Sequence, residues 1–70
     1  MTVRITVNGK PREIECEMDL PSFLAANKID PRLVAVAING DVIPKHDYAS
    51  ARVRDGDVVE VVRMVGGGAR

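Results

Sequence analysis

Two Asn-Gly pairs, at residues 8–9 and 39–40, each follow a run rich in apolar residues, and they do most to constrain the fold. Asn-Gly is the strongest short-range signal for a tight β-hairpin turn. Residues 3–7 alternate apolar and polar side chains, which predicts a half-buried strand before the first turn. The chain therefore begins as a β-hairpin.

Pro11 affects where the return strand of this hairpin begins, because proline cannot donate to a strand ladder. We expect the return strand to be delayed to residues 13–17, with Ile14 and Cys16 on its inner face. A lone cysteine at an inward strand position usually acts as a small core hydrophobe, and no cationic neighbour in sequence would lower its pKa. The less favoured alternative is a thiol that handles sulfur.

A short helix should follow the hairpin. Asp19 suits the N-cap, and Pro21 fits the first turn, where a missing N–H costs little. One apolar stripe, spaced i, i+3, i+4, consists of Leu20, Phe23 and Leu24. The helix should fade near Asn27-Lys28, and the Asp30-Pro31 pair stops it. At about ten residues it is too short to be stable without packing on a sheet.

The rest of the chain is mostly β in character. Residues 33–38 form a nearly continuous apolar run, typical of a strand buried on both faces or nearly so. Residues 42–43 return from the second turn, and residues 44–49 form a loop or a single helical turn. A turn at residues 55–57 precedes the Val-rich last strand, residues 58–65. This order predicts an α+β roll with one helix across a four- to five-stranded mixed sheet.

The size and composition of the chain exclude several classes of function. Its 70 residues make one small domain, in which an enclosed active site would remove core that the fold needs. Lys+Arg and Asp+Glu are each 10, which argues against binding nucleic acid through bulk charge. One cysteine excludes an internal disulfide and any multi-cysteine metal site. We expect no enzyme, no metal site, no membrane segment and, without a signal peptide, a cytoplasmic protein.

The glycine-rich end is the feature that most favours a specific function. We expect a domain over residues 1–65 and a flexible tail over residues 66–70. Three glycines make the tail thin enough to enter a channel that any side chain would block. Gly66 and Gly67 would thread such a channel. The alternative is a frayed terminus without a role.

The last strand offers a surface beside this tail. If Glu60 faces solvent, the two-residue period points Val59 and Val61 inward. The outward face then carries three apolar residues that we expect to dock a partner: Val58, Val62 and Met64. The alternative is that the helix covers this face and the orientation is reversed.

Other polar residues give weaker signals. His46 has no second ligand near it in sequence, so a solvated loop histidine is favoured over a metal or catalytic role. Arg52, Arg54 and Arg63 are interpreted as solvated charges, with a small basic patch that steers a partner as the alternative.

The Asn39-Gly40 turn with Ile43-Pro44 after it, the Asp55-Gly56-Asp57 turn, the Val-rich strand and the glycine end together resemble the prokaryotic ubiquitin-like sulfur carriers, the ThiS/MoaD superfamily. The resemblance covers the chain from its first strand to Gly68 and is greatest to the thiamine-biosynthesis branch. It implies a β-grasp fold, which agrees with the predicted roll.

The resemblance also implies a carrier that is not a catalyst and holds no cofactor. A ubiquitin-activating-type (ThiF-like) adenylyltransferase would use ATP and magnesium to adenylate the terminal glycine carboxylate. A persulfide sulfur donor would then replace AMP to leave a thiocarboxylate. A ThiG-like thiazole synthase would receive that sulfur, with the arm lying extended in a partner groove.

The chain departs from the family pattern at its end. Mature family members end in Gly-Gly, here Gly67-Gly68, whereas Ala69-Arg70 follow in this sequence. We expect a peptidase to remove these two residues and expose Gly68, with Gly67 as the second choice. Three alternatives remain: a sulfur carrier for molybdopterin, cysteine or transfer-RNA thiolation, a ubiquitin-like modifier of lysines, and a β-grasp interaction module without terminal chemistry.

Overall fold

Both Asn-Gly pairs form the tight turns that the sequence predicts. Asn8 and Asn39 have φ of 52° and 54°, and the glycines that follow them also have positive φ. The strands on either side pair directly, because Val7 lies opposite Lys10 and Ile38 lies opposite Asp41. These turns fix the register of two antiparallel hairpins.

A computed structural model describes residues 2–64 of the chain. In chain order its elements are β1 (Val3–Val7), β2 (Lys10–Ile14), β3 (Met18–Asp19), α1 (Leu20–Ala26), β4 (Val34–Ile38), β5 (Asp41–Ile43), β6 (Arg52–Val53) and β7 (Val58–Arg63). Single 3-10 turns at Pro31–Leu33 and Lys45–Asp47 connect them.

Five strands form one mixed sheet in the order β2-β1-β7-β4-β5, so the last strand in sequence lies at the centre. Strand β7 runs parallel to β1 and antiparallel to β4. The predicted α+β roll is confirmed. A second sheet of two short strands, β3 and β6, was not predicted.

Helix α1 begins as predicted and ends at Ala26, beside the Asn27-Lys28 pair where it was predicted to fade, although it is shorter than the predicted length. The Asp19 carboxylate accepts a 2.7 Å hydrogen bond from the Ser22 backbone N–H, and proline occupies the first turn. The helix has 7 residues because Asn27 closes it, donating its side-chain amide to the Phe23 carbonyl at 2.8 Å. Lys28 then takes a φ of 60°, which an α-helix cannot continue.

The core lies between α1 and one face of the large sheet. Its buried side chains are Val3, Ile5, Leu20, Phe23, Leu24, Val34, Val36, Tyr48, Val53 and Val59. The Tyr48 hydroxyl donates to the Val34 carbonyl at 3.3 Å, which satisfies its polar end within the core. In β4 the alternate residues Ala35 and Ala37 are half-buried, so this strand is buried on one face and partly on the other.

Two expectations for the first hairpin are wrong. The return strand starts at Lys10, with Pro11 opposite Thr6. Proline fits there because β2 is an edge strand. Hydrogen-bonded and non-hydrogen-bonded residue pairs alternate along the ladder, so the backbone nitrogen at this position points away from β1. Strand β2 ends at Ile14, so Cys16 lies in the following bend and is exposed.

The expected boundary between a domain of residues 1–65 and a tail of residues 66–70 lies outside the described residues. No helix within residues 2–64 is long and apolar enough to cross a membrane. The same residues contain no group of three or more His, Cys, Asp or Glu arranged to hold a metal ion.

Candidate functional site

The candidate site is the end of β7, from which the chain continues toward the glycines. Pairing with β4 holds this strand as far as Arg63, which lies opposite Val34. One further backbone bond, from Met64 N–H to the Leu33 carbonyl, measures 2.8 Å. The sheet therefore holds the backbone until two residues before Gly66.

The first Asn-Gly turn holds β7 from its other side. Backbone pairing with β1 ends where Val7 lies opposite Val59. Beyond that point the Asn8 side chain accepts a bond from Val61 N–H at 2.8 Å and donates one to the Val61 carbonyl at 3.2 Å. The amide thus takes the place that a further residue of β1 would occupy.

The second Asn-Gly turn fixes the beginning of β7. The Asn39 side chain accepts from Val58 N–H at 2.9 Å and donates to the Asp57 carboxylate at 3.0 Å. The other Asp57 oxygen accepts from Arg54 N–H at 2.8 Å. Asparagine side chains from two turns distant in sequence therefore hold Val58 at the beginning of the strand and Val61 in its second half.

The predicted orientation of the β7 side chains is confirmed. Val59 is fully buried and Val61 packs against the core. Val58, Val62 and Met64 are 43%, 62% and 47% exposed on the sheet face that α1 does not cover. The alternative, a helix over this face, is wrong, whereas a docking role for the three residues stays a prediction.

The exposed apolar surface is larger than the last strand alone. The sheet register places Ala35 beside Val62 and Ala37 beside Val42, which is 73% exposed. We call this surface the open-face patch and define it as Ala35, Ala37, Val42, Val58, Val62 and Met64. The exposed carboxylate of Glu60 lies among them, opposite Ala37. The two-residue Asn39-Gly40 turn is itself enough to place Val42 opposite Ala37, so the sequence carries a signal for this part of the patch.

The basic residues do not form one cluster. Arg52 and Arg54 line a polar groove near the start of β7. Arg63 lies at the other end of that strand and lines a different groove. Arg63 follows Val58 by five residues along the strand, a distance of about 17 Å. The alternative of a small basic patch formed by all three is wrong.

His46 is exposed in the Lys45–Asp47 turn, with its Nε2 3.6 Å from an Asp47 carboxylate oxygen. The tail residues Gly66, Gly67 and Gly68 lie outside the described residues, so their roles stay predictions.

Comparison with known proteins agrees with this geometry. The ThiS family model matches residues 5–68. The crystal structure of the thiamine biosynthesis protein ThiS from Geobacter metallireducens superposes with a TM-score of 0.84 at 33% identity, covering 94% of this chain and all of that one. A superposition over nearly the whole of both chains confirms the β-grasp expectation.

The relatives that are similar in sequence to this chain are of two kinds, a sulfur carrier protein and thiazole synthases. The sulfur carrier protein ThiS of Bacillus subtilis is 31% identical, covering 91% of this chain and 98% of that protein. A thiazole synthase of Paramagnetospirillum magneticum is 36% identical over 96% of this chain but only 21% of its own length. This chain thus spans about a fifth of that synthase, and 20% of a second one from Magnetococcus marinus. The chain belongs to the ThiS family.

Proposed function

We propose that this chain is a sulfur carrier for thiamine thiazole synthesis in the cytoplasm, with a thiocarboxylate on Gly68 as its working group. The observation that carries the proposal is the placement of β7. This strand is held in the centre of the sheet as far as Met64, beside the open-face patch, and leads directly toward Gly66–Gly68. The family match supports Gly68 as the working end because it stops at that residue.

The chemistry needs an activated carboxylate, because a free carboxylate is a poor electrophile. The Gly68 carboxylate attacks the α-phosphorus of ATP, with magnesium neutralising the phosphates, and pyrophosphate leaves. The terminal sulfur of a persulfide then attacks the acyl carbon and AMP leaves. A second thiol takes up the remaining donor sulfur as a disulfide and releases the thiocarboxylate. A partner adenylyltransferase of the ThiF-like type holds the ATP and magnesium, and the chain itself is a carried substrate.

The carrier's own contribution is positional. Gly66 and Gly67 allow backbone to pass through a narrow channel, since neither has a Cβ. Peptidase cleavage after Gly68 places the carboxylate on the residue that the family pattern expects. The open-face patch docks the activating enzyme at a fixed distance from that carboxylate. An interface of this kind needs apolar residues that are exposed before binding, which Val58, Val62 and Met64 are.

A thiazole synthase is the proposed acceptor of the sulfur. Two relatives with that name contain a region similar to nearly all of this chain, 96% and 94% of it. A carrier and its acceptor must meet at the tail. Joining a carrier-like region and a synthase in one polypeptide raises the effective concentration of each for the other, which suits two proteins that act together.

Intact-mass spectrometry on the protein isolated from its own cells tests the proposal. We expect loss of everything after Gly68 and replacement of one terminal oxygen by sulfur. A chain that remains unmodified after incubation with the cognate adenylyltransferase, peptidase, ATP and sulfide would refute the carrier function. A lysine adduct through Gly68 would instead identify a protein modifier.

A further inference from the structure

A second surface lies on the opposite face of the sheet from the open-face patch, between the C-terminal end of α1 and β7. It is an open groove of about 340 Å³. Its floor is apolar, with Phe23 and Val34 buried and Ile29 and Val61 half-buried. Arg12 and Arg63, both exposed, line the same groove.

The two arginines give this groove a positive charge. Arg12 donates a 2.9 Å hydrogen bond from Nη2 to the Asn27 side-chain oxygen, which directs its guanidinium toward α1. The residues that line the groove include no carboxylate. Within residues 2–64 the ion pairs between Lys or Arg and Asp or Glu are Arg4–Glu13 and Arg32–Asp30, and neither involves Arg12 or Arg63. An apolar floor beside two cations attracts anionic groups more strongly than the same cations spread over a polar surface.

The groove also lies beside the working end of the chain. Arg63 is the last residue of β7, and Met64 continues toward the glycines. The five residues from Met64 to Gly68 span at most about 17 Å, so a protein that receives the tail approaches the end of the sheet where this groove lies. The charge and the apolar floor together fit a partner segment that carries one apolar side chain flanked by Asp or Glu.

We propose that this groove docks an acidic, apolar-tipped segment of the thiazole synthase. The inference rests on the proposed function and extends it by giving the two successive partners different faces. The activating enzyme uses the open-face patch, and the synthase uses the groove. Separate faces allow the synthase to select the carrier without competing for the patch that the activating enzyme contacts.

Charge reversal tests this assignment. The unmodified full chain and its Arg12→Glu, Arg63→Glu and double variants are titrated with the cognate thiazole synthase by calorimetry. Arg54→Glu is the matched control, because Arg54 is exposed at the other end of β7. Thermal unfolding confirms that each variant is folded. Each single reversal should weaken binding by about tenfold and the double variant by more, while Arg54→Glu stays within about twofold. Arg63→Lys, which keeps the charge, should retain most of the affinity.

Salt gives a second measurement. Raising the salt concentration should weaken binding of the parent chain more than binding of the double variant, because the variant has lost the screened attraction. The proposal is overturned if the folded double variant binds the synthase as tightly as the parent, or if the parent does not bind it. Thiocarboxylate formation is scored separately by intact mass. Loss of that step with unchanged synthase binding would assign the groove to the activating enzyme, and absence of the step in the parent would refute the proposed function itself.

Discussion

The side-chain amide of Asn8 pairs with the backbone of Val61 in the manner of a strand residue, accepting at 2.8 Å and donating at 3.2 Å. Asn8 can do this because it sits in a tight turn with φ of 52°, so its own strand has already ended. The pair holds the half of β7 that leads to the tail. It links a turn at one end of the chain to the candidate site at the other.

We predict that Asn8→Gly lowers the free energy of unfolding by about 1–2 kcal/mol. Two hydrogen bonds are lost, and glycine keeps the positive φ without strain. The loss should be concentrated at the end of β7. Urea unfolding measures the stability, and hydrogen exchange measures the protection of the Val61 amide relative to the core amides.

Asn39→Gly is the matched control, because Asn39 occupies the equivalent turn position and bonds Val58 at the beginning of β7. It carries the same backbone entropy cost. It should lower protection at Val58 and leave Val61 protected. Equal loss of protection at both amides in both variants would contradict separate roles for the two turns.

The elements that the sequence predicted well are those set by local patterns. The two-residue period put Val59 inward and Val62 outward, and the capping position of Asp19 followed from the residues around it. The hairpin turns followed from Asn-Gly alone. In each case the deciding interaction is made within a few residues, so the sequence carries it directly.

The features that the sequence did not give depend on contacts between distant segments. Proline at residue 11 is compatible with a strand only because β2 is an edge, which is a property of the whole sheet. The same strand ends at Ile14, which leaves Cys16 in the following bend and out of the core. The bonds from Asn8 to Val61 and from Arg12 to Asn27 span 53 and 15 residues, and no local pattern indicates them.

The orientation of β7 can be tested by making the same substitution, Val to Thr, at Val59 and at Val62 and comparing the loss of stability. Thr is nearly isosteric with Val and keeps the branched β-carbon. Val59→Thr places a hydroxyl in the core and should cost about 1–3 kcal/mol, whereas Val62→Thr should change stability by less than about 0.5 kcal/mol. Urea unfolding of both variants checks this. Comparable losses would mean that the open face is covered in solution.

Val62→Lys tests docking on the open-face patch. A charge on an exposed face leaves the fold intact, but burying it against an apolar partner surface is costly. We expect thiocarboxylate formation by the activating enzyme to fall at least about tenfold, with thermal unfolding nearly unchanged. Ala49→Lys, which adds the same charge at an exposed loop position, is the control and should react like the parent. Full activity of Val62→Lys would exclude this patch from the activation step.

Asp30 makes the stability of the chain dependent on pH. Hydrogen bonds from the Arg32 side chain and backbone lower the pKa of the Asp30 carboxyl from 3.8 to about 2. Because this pKa is lower in the folded state than in the unfolded state, the ionised carboxylate stabilises the fold at pH values above the unfolded-state pKa. The stabilisation is lost as the pH falls toward 2. The parent should therefore be more stable than Asp30→Asn at pH 7, and the difference should shrink between about pH 4 and pH 2. Urea unfolding across this range measures it, and a difference that does not depend on pH would show that the charge contributes nothing.

The position of the working carboxylate is tested by chains made to end at Gly68 or at Gly67. The chain ending at Gly68 should be adenylated and take up sulfur without a peptidase, whereas the chain ending at Arg70 should require one. Ending at Gly67 shortens the arm by about 3.3–3.6 Å. Such a shift moves the carboxylate out of the contact range of about 3–3.5 Å that attack on the α-phosphate of ATP requires, so this chain should react much more slowly. Intact mass after incubation with the adenylyltransferase, ATP and sulfide gives the yields. A faster reaction at Gly67 would move the site by one residue, and reaction of the Arg70 chain without a peptidase would show that processing is unnecessary.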